Sequence, residues 1–184
     1  MINRSRPLNA RFAAEFERLW IAFGSGAPGK APSGAFEGNA AALFFPEAGH
    51  GNVALMLAEL AAATKTVDVA MFTLTHDGLV NGLLAQHTRG RRVRVITDNR
   101  QIKCKGSDAP RLLAAGVEVR TDSSFYAMHH KFCVVDGVTL LNGSFNWTAQ
   151  AAAGNQEDVV IYRKAAGLAS HFTDEFEVMW AKFA

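Results

Sequence analysis

The sequence is short of the residues that would define a disulfide scaffold, a zinc module or a membrane span. Two cysteines, Cys104 and Cys133, occur in 184 residues, too few for a disulfide framework or a four-ligand zinc site. Cys133 lies in the apolar run Phe132-Cys133-Val134-Val135 and reads as packing. Cys104, between Lys103 and Lys105, is the candidate reactive thiol, because neighbouring cations favour thiolate. Both fit a reducing compartment. No apolar run approaches the ~20 residues that cross a bilayer, so no integral membrane segment is expected. Neither sign of charge dominates: 19 Lys+Arg face 17 Asp+Glu, a net charge of +2, which alone does not select nucleic acid as a partner. No carboxylate cluster for magnesium and no His/Cys zinc set is visible, so no metal and no other cofactor is expected. His50, His76, His87 and His171 lack ligand spacing and read as surface or helix-terminal residues.

What is present is a chain with 49% hydrophobic and 20% charged residues, the profile of one globular domain plus an appendage. Arg4, Arg6 and Arg11, with no acid before Glu15, faintly resemble a transit peptide. Glu15 and Glu17 argue against it, leaving the cytoplasm as the default and organelle association open. The segment Phe12-Ala-Ala-Glu15-Phe16-Glu17-Arg-Leu-Trp20-Ile-Ala-Phe23 matches Phe172-Thr-Asp-Glu175-Phe176-Glu177-Val-Met-Trp180-Ala-Lys-Phe183 at six of twelve positions, at a constant offset of 160. Both segments read as amphipathic helices with an aromatic stripe, and the match reads as duplication. Residues 1–38 are therefore expected to be a helix plus a mobile Gly/Pro-rich linker, a remnant of a preceding unit, and residues 39–184 the catalytic domain.

Within the body, strands are predicted at Ala42–Phe45, Val67–Thr75, Val93–Thr97, Val117–Arg120, Lys131–Val135, Thr139–Leu141 and Glu157–Arg163. Helices are predicted at Val53–Ala63, from an Asp77 cap to about His87, at Asp108–Ala115 and at the C-terminus. This alternation predicts an α/β fold with helices on both faces of a sheet. The Asp136-Gly137 hairpin turn makes that sheet mixed.

The chemistry concentrates in Met128-His129-His130-Lys131-Phe-Cys-Val-Val-Asp136 followed by Gly143-Ser144-Phe145-Asn146-Trp147-Thr148, which contains H-x-K-x-x-x-x-D and then G-S-x-N. On a strand His129 and Lys131 share a face and His130 points away, to pack or to hydrogen-bond. A neutral imidazole, with an ordinary pKa of about 6.5, is a competent nucleophile at phosphorus. A lysine beside it can neutralise the charge that gathers on phosphoryl oxygens in the transition state. Gly143 lets the backbone approach closely, and Ser144 and Asn146 are neutral donors for phosphate oxygens.

These segments, with Leu43-Phe-Phe-Pro46, Ala70-Met-Phe-Thr-Leu-Thr75, Thr121-Asp-Ser-Ser-Phe125 and Asn155-Gln-Glu157, resemble the phospholipase D superfamily. The match is to its short single-motif branch, which holds the bacterial endonuclease Nuc and the mitochondrial cardiolipin hydrolases of the Zucchini type. The resemblance implies a phospholipase D-like fold with an extra N-terminal helix, and a metal-independent phosphodiesterase working through a phosphohistidine intermediate. It implies a homodimer with a shared active site, in which His129 is nucleophile in one chain and general acid in the other. Lys131 and Asn146 would bind phosphate with Ser144 close by, Asp136 would be mainly structural, and Glu157 would orient the catalytic histidine. The zinc cluster and membrane anchor of the Zucchini type are not visible here.

Arg89, Arg91, Arg92 and Arg94 crowd the end of one helix and the start of a strand, and the helix dipole, which favours cations, accounts for at least half of the cluster. Arg100, Lys103 and Lys105 follow a strand end, where α/β sheets place ligands, and could hold a nucleic-acid backbone. Phe125, Tyr126 and Trp147 could stack bases or pack in the core. The leading expectation is an endonuclease on single-stranded DNA or RNA. The alternatives are a phospholipase D acting on phospholipid, disfavoured by the lack of an evident apolar patch, and a catalytically silent nucleic-acid-binding module.

Overall fold

The computed structural model describes residues 6–26, 29–49 and 51–183; His50 and Arg4 lie outside them. In chain order the elements are α1 (Arg6–Ser25), β1 (Ala40–Phe45), α2 (Gly51–Ala61), β2 (Thr66–Met71), β3 (Leu74–Thr75), α3 (Asp77–Thr88), β4 (Arg92–Thr97), α4 (Ala109–Ala114), β5 (Glu118–Thr121), β6 (Lys131–Val135), β7 (Thr139–Gly143), β8 (Trp147–Thr148), α5 (Ala149–Ala153), β9 (Glu157–Tyr162) and α6 (Ala166–Lys182).

The apolar strands pair into a mixed sheet of order β1-β9-β7-β6-β2-β4-β5, parallel only across β2, β4 and β5. Asp136 and Gly137 adopt φ of 52° and 68° at the β6–β7 turn, the left-handed geometry that a tight hairpin needs. Strand alternation then builds two cores. Leu43, Val69, Val95, Cys133 and Ile161 face one side, where Met56 and Leu60 of α2, Leu79 and Leu83 of α3, Leu112 of α4 and Ala151 of α5 cover them. Ala70, Ile96, Phe132, Val134 and Leu140 face the other, under Ala169, Phe176, Met179 and Trp180 of α6. At the sheet edge on this second side, Leu8 of α1 meets Ala42 and Phe44 of β1.

Four details differ from the sequence reading. The run Val67–Thr75 is broken after Met71, and Leu74–Thr75 leaves the main sheet to pair with Trp147–Thr148. The N-cap of α3 is His76, whose Nδ1 accepts from the Leu79 N–H at 3.3 Å, with Asp77 as the first helical residue. The linker is tied to the body from Ala31 onward. Ala31 donates to the Pro46 carbonyl and accepts from Ala48, both at 2.8 Å, and the Gly34 N–H reaches Asn52 Oδ1 at 2.6 Å. A Cβ at Gly34 would collide with Leu43 and the Ala42 carbonyl. Finally, Arg94, within the predicted strand, is drawn out of the surface arginine cluster. It is buried beneath α6, with Nε 2.7 Å from Asp68 Oδ1 and NH2 2.6 Å from Glu177 Oε1.

Candidate active site

The topology carries the chemical residues to one rim of the sheet. Antiparallel pairing sets the start of β6 beside the ends of β2 and β7, with Met71 opposite Lys131 and Phe132 opposite Asn142. It sets the start of β9 beside the end of β7, with Gly143 opposite Val159. His129, Lys131, Gly143, Ser144, Asn146 and Glu157 thereby line one open cleft of about 460 Å³.

His129 is exposed at the cleft, its ring 4.5 Å from that of Phe72. The Lys131 ammonium donates to the His129 carbonyl at 2.8 Å and lies 3.2 Å from Nδ1. It also sits 5.2 Å from the centre of the Phe72 ring. Burial and then the Lys131 charge hold the His129 pKa below its ordinary value, partly opposed by Asp98; the imidazole is biased toward the uncharged form. Burial likewise lowers the Lys131 pKa, with Glu157 acting the other way. His130 turns away as strand alternation requires, its ring 5.5 Å from Phe132 and Nε2 3.8 Å from Glu175 on α6.

Gly143 is dictated by space: a Cβ there would run into the Asp158 carbonyl. That close approach lets the Ser144 and Phe145 N–H groups donate to the Asp158 carbonyl at 3.1 and 3.3 Å. Ser144 Oγ donates to Glu157 Oε2 at 2.6 Å, and Asn155 Nδ2 donates to Glu157 Oε1 at 3.1 Å. Glu157 therefore braces Ser144; among the described residues it has no hydrogen bond to His129. Asn146 Oδ1 is buried with no hydrogen-bond partner among the described residues.

Two expected residues do not join the cleft. Asp136 sits at the far end of β6, about 16 Å along the strand from Lys131. Its carboxylate accepts from the N–H groups of Thr64, Lys65 and Thr66 and from Thr64 Oγ1, all at 2.8 Å. Burial would raise its pKa, but these bonds outweigh that and hold it below the ordinary value. Trp147 is buried in the core and paired in β8, so it packs and does not stack on a ligand. Lys103 and Lys105 are exposed on the loop after β4. Arg100 donates to the Phe125 carbonyl at 3.1 Å and lies 5.3 Å over the Phe125 ring. Cys104 is half-buried on the same loop.

Sequence reasoning missed Phe72, which backs the His129 ring, and Asp98. Asp98 Oδ1 accepts from the Arg100 and Gln101 N–H groups and Oδ2 from the Met128 N–H, joining the basic loop to the segment that ends at His129. The only signal was position: Asp98 closes β4 at the rim. Among the described residues, no group of three or more His, Cys, Asp or Glu is placed to hold a metal ion, and no helix is long and apolar enough to cross a membrane.

Residues 56–180 match the family described as cardiolipin synthase, PLD-like domain. The chain belongs to this phospholipase D-like family. It is 44% identical over 124 residues to the mitochondrial cardiolipin hydrolase of Chlamydomonas reinhardtii, covering 67% of this chain and 55% of the relative. It is 39% identical over 136 residues to the human protein of the same name, covering 73% and 54%. The chain thus spans little more than half the length of these relatives. Nuc from Salmonella typhimurium, a phospholipase D family member, superimposes with a TM-score of 0.73 at 27% identity, over 79% of this chain and 95% of Nuc. NucT from Helicobacter pylori shares the fold, with a TM-score of 0.71 at 18% identity. The family and the mixed α/β architecture are thus those of a phospholipase D-like domain.

Proposed function

We propose that the chain hydrolyses phosphodiesters without a metal, with His129 as nucleophile and a second His129, from a two-fold-related copy, as general acid. The observation that carries this reading is the convergence of His129, Lys131, Ser144, Asn146 and Glu157 on one cleft. An incoming phosphate draws the Lys131 ammonium away from Nδ1 and onto its own oxygens. Nδ1 can then hold the ring proton, leaving Nε2 free to attack. The Nε2–P bond forms as the bond to the leaving oxygen breaks, and that oxygen takes a proton from the partner imidazolium. Water, deprotonated by the same partner imidazole, then releases His129. The Asn146 amide nitrogen is a neutral donor for the phosphoryl oxygens, while Ser144, whose hydroxyl proton goes to Glu157 Oε2, supports the cleft beside it. Glu157 acts here through Ser144.

For the substrate, single-stranded DNA or RNA is the first reading. Phe125 and Tyr126, on the segment leading to His129, are 81% and 82% exposed beside Arg100, and such aromatic–cation surfaces stack bases. Phospholipid is the second reading, favoured by the name cardiolipin hydrolase that the relatives carry; association with an organelle goes with it. The test uses bis(p-nitrophenyl) phosphate, single-stranded oligonucleotides and cardiolipin vesicles, each in EDTA, beside His129→Asn. Turnover that survives chelation and vanishes in the variant is the expected result; turnover abolished by EDTA or retained by the variant overturns it. Cleavage of oligonucleotides or release of phosphatidic acid then decides the substrate, and tight oligonucleotide binding with no turnover would mean a silent binding module.

A further inference from the structure

Helix α1 rests on the sheet edge through Leu8, Phe12, whose ring meets that of Phe44 edge-on at 5.0 Å, and Arg18, while its other aromatics face solvent, unlike those of a seated amphipathic helix. Arg18 bonds Glu15 through Nε at 2.8 Å and reaches Gln156 at 3.3 Å. Phe16, Trp20 and Phe23 are 59%, 70% and 65% exposed, whereas Phe176 and Trp180, 160 positions later in α6, are 0% and 9% exposed.

The match between the two helices follows the way α6 is seated. Of the six identical positions, Phe172, Phe176, Trp180 and Phe183 are the aromatic contacts of α6 with the second core. Glu177 pairs with Arg94, and Glu175 faces His130. The guanidiniums of Arg94 and Arg120 lie 5.1 and 4.3 Å over the Trp180 ring. Met179, the other buried residue here, becomes Leu19 in α1. Of the remaining differences, Asp174, Val178, Ala181 and Lys182 are exposed and Thr173 is half-buried. Shared helix-forming composition would scatter identities around the helix; here they collect on the side that recognises the sheet.

We infer that the exposed aromatic face of α1 is a docking surface for a second phospholipase D-like unit, taking there the seat that α6 takes here. Phe16, Trp20 and Phe23, joined by Phe12 once it leaves Phe44, fit an apolar sheet face like that of Ala70, Ile96, Phe132 and Leu140. Glu17 meets the arginine equivalent to Arg94, and Trp20 lies beneath the one equivalent to Arg120, so charge and shape agree.

The first test gives α6 the residues of α1 in the full chain: Thr173→Ala, Asp174→Ala, Val178→Arg, Met179→Leu, Ala181→Ile and Lys182→Ala together. The expected result is cooperative unfolding with Tm within about 5 °C of the parent, a shift equivalent to about 2 kcal/mol in a chain this size; an unfolded graft overturns the inference. The second test mixes the unaltered chain with an acceptor carrying Phe176→Ala and Trp180→Ala, plus Phe16→Ala and Trp20→Ala to prevent self-docking. Sedimentation should show a one-to-one complex, lost when Phe16→Ala and Trp20→Ala are placed in the donor. An acceptor unfolded on its own should regain its near-UV signal on mixing. No complex and no regain overturns the inference. So does α1-dependent sedimentation with anionic phospholipid vesicles, which would assign the face to a lipid surface. Neither readout involves turnover, so failure here leaves the proposed chemistry standing.

Discussion

A lysine ammonium 3.2 Å from Nδ1 of His129 serves two purposes. It disfavours the imidazolium before substrate arrives, and it is the nearest cation for the phosphoryl oxygens once substrate is bound. Lys131→Met is therefore expected to abolish turnover and to move the NMR titration midpoint of His129 upward, since the neighbouring positive charge is gone. The midpoint should stay below the ordinary value, because burial, the larger cause, remains; a downward move would contradict the arrangement. Asp136 behaves in the opposite way. Its folded pKa lies below the ordinary value, so its stabilising effect is full above the ordinary aspartate pKa and fades as pH falls through the folded one. Asp136→Ala should cost about 1–2 kcal/mol at neutral pH after allowance for solvent screening. The deficit should shrink below the ordinary aspartate value of about 3.9, as urea denaturation at two pH values would show. Turnover per folded molecule should persist, which separates a strand-end clamp from a catalytic carboxylate.

At the scale of elements, α6 is fastened by Arg94 as well as by aromatic burial. Arg94→Met leaves Asp68 buried with only Arg92, 4.0 Å away, beside it and should cost about 3 kcal/mol, whereas Arg94→Met with Asp68→Leu should regain most of it; a thermal-unfolding double-mutant cycle measures this. Periodicity alone could not reveal the ion pair, since Arg94 reads as one of four arginines crowded between a helix end and a strand start until the strand register turns it under α6. Periodicity did locate β6, β7 and the turn between them, because Asp136-Gly137 and the alternation on either side agree. It failed where tertiary pairing overrides local pattern. The run from Val67 to Thr75 reads as one strand, but Leu74 and Thr75 are drawn off by Trp147 and Thr148, and a two-residue pairing leaves no periodic trace. Trp147 looked available for stacking only because that pairing was invisible.

At the scale of the molecule, the residues of the cleft were legible and their partners were not. His129, Lys131, Ser144 and Asn146 stand in a local pattern, while Phe72 and Asp98 reach the same rim only through the strand order. Glu157 is expected to orient a catalytic histidine, and within the single chain its carboxylate is held by Ser144 and Asn155. A shared site also makes a statement about mixtures. If two copies of His129 are needed, equimolar His129→Asn chains allowed to exchange should lower activity per unaltered chain to about half, since random pairing leaves about half of the unaltered chains with an unaltered partner. Self-sufficient chains would show no change.

The position of Cys133 at the centre of the sheet has a practical consequence. With its side chain wholly enclosed and burial pushing its pKa upward, it is shielded from alkylating reagents while the strands stay joined, whereas Cys104, half-buried on the loop after β4, is partly accessible to them. Mass spectrometry of maleimide-treated protein should find one adduct per native chain and a second appearing only as the sheet opens. The chain thus carries its own internal clock for unfolding, with a reporter beside the cleft as the reference.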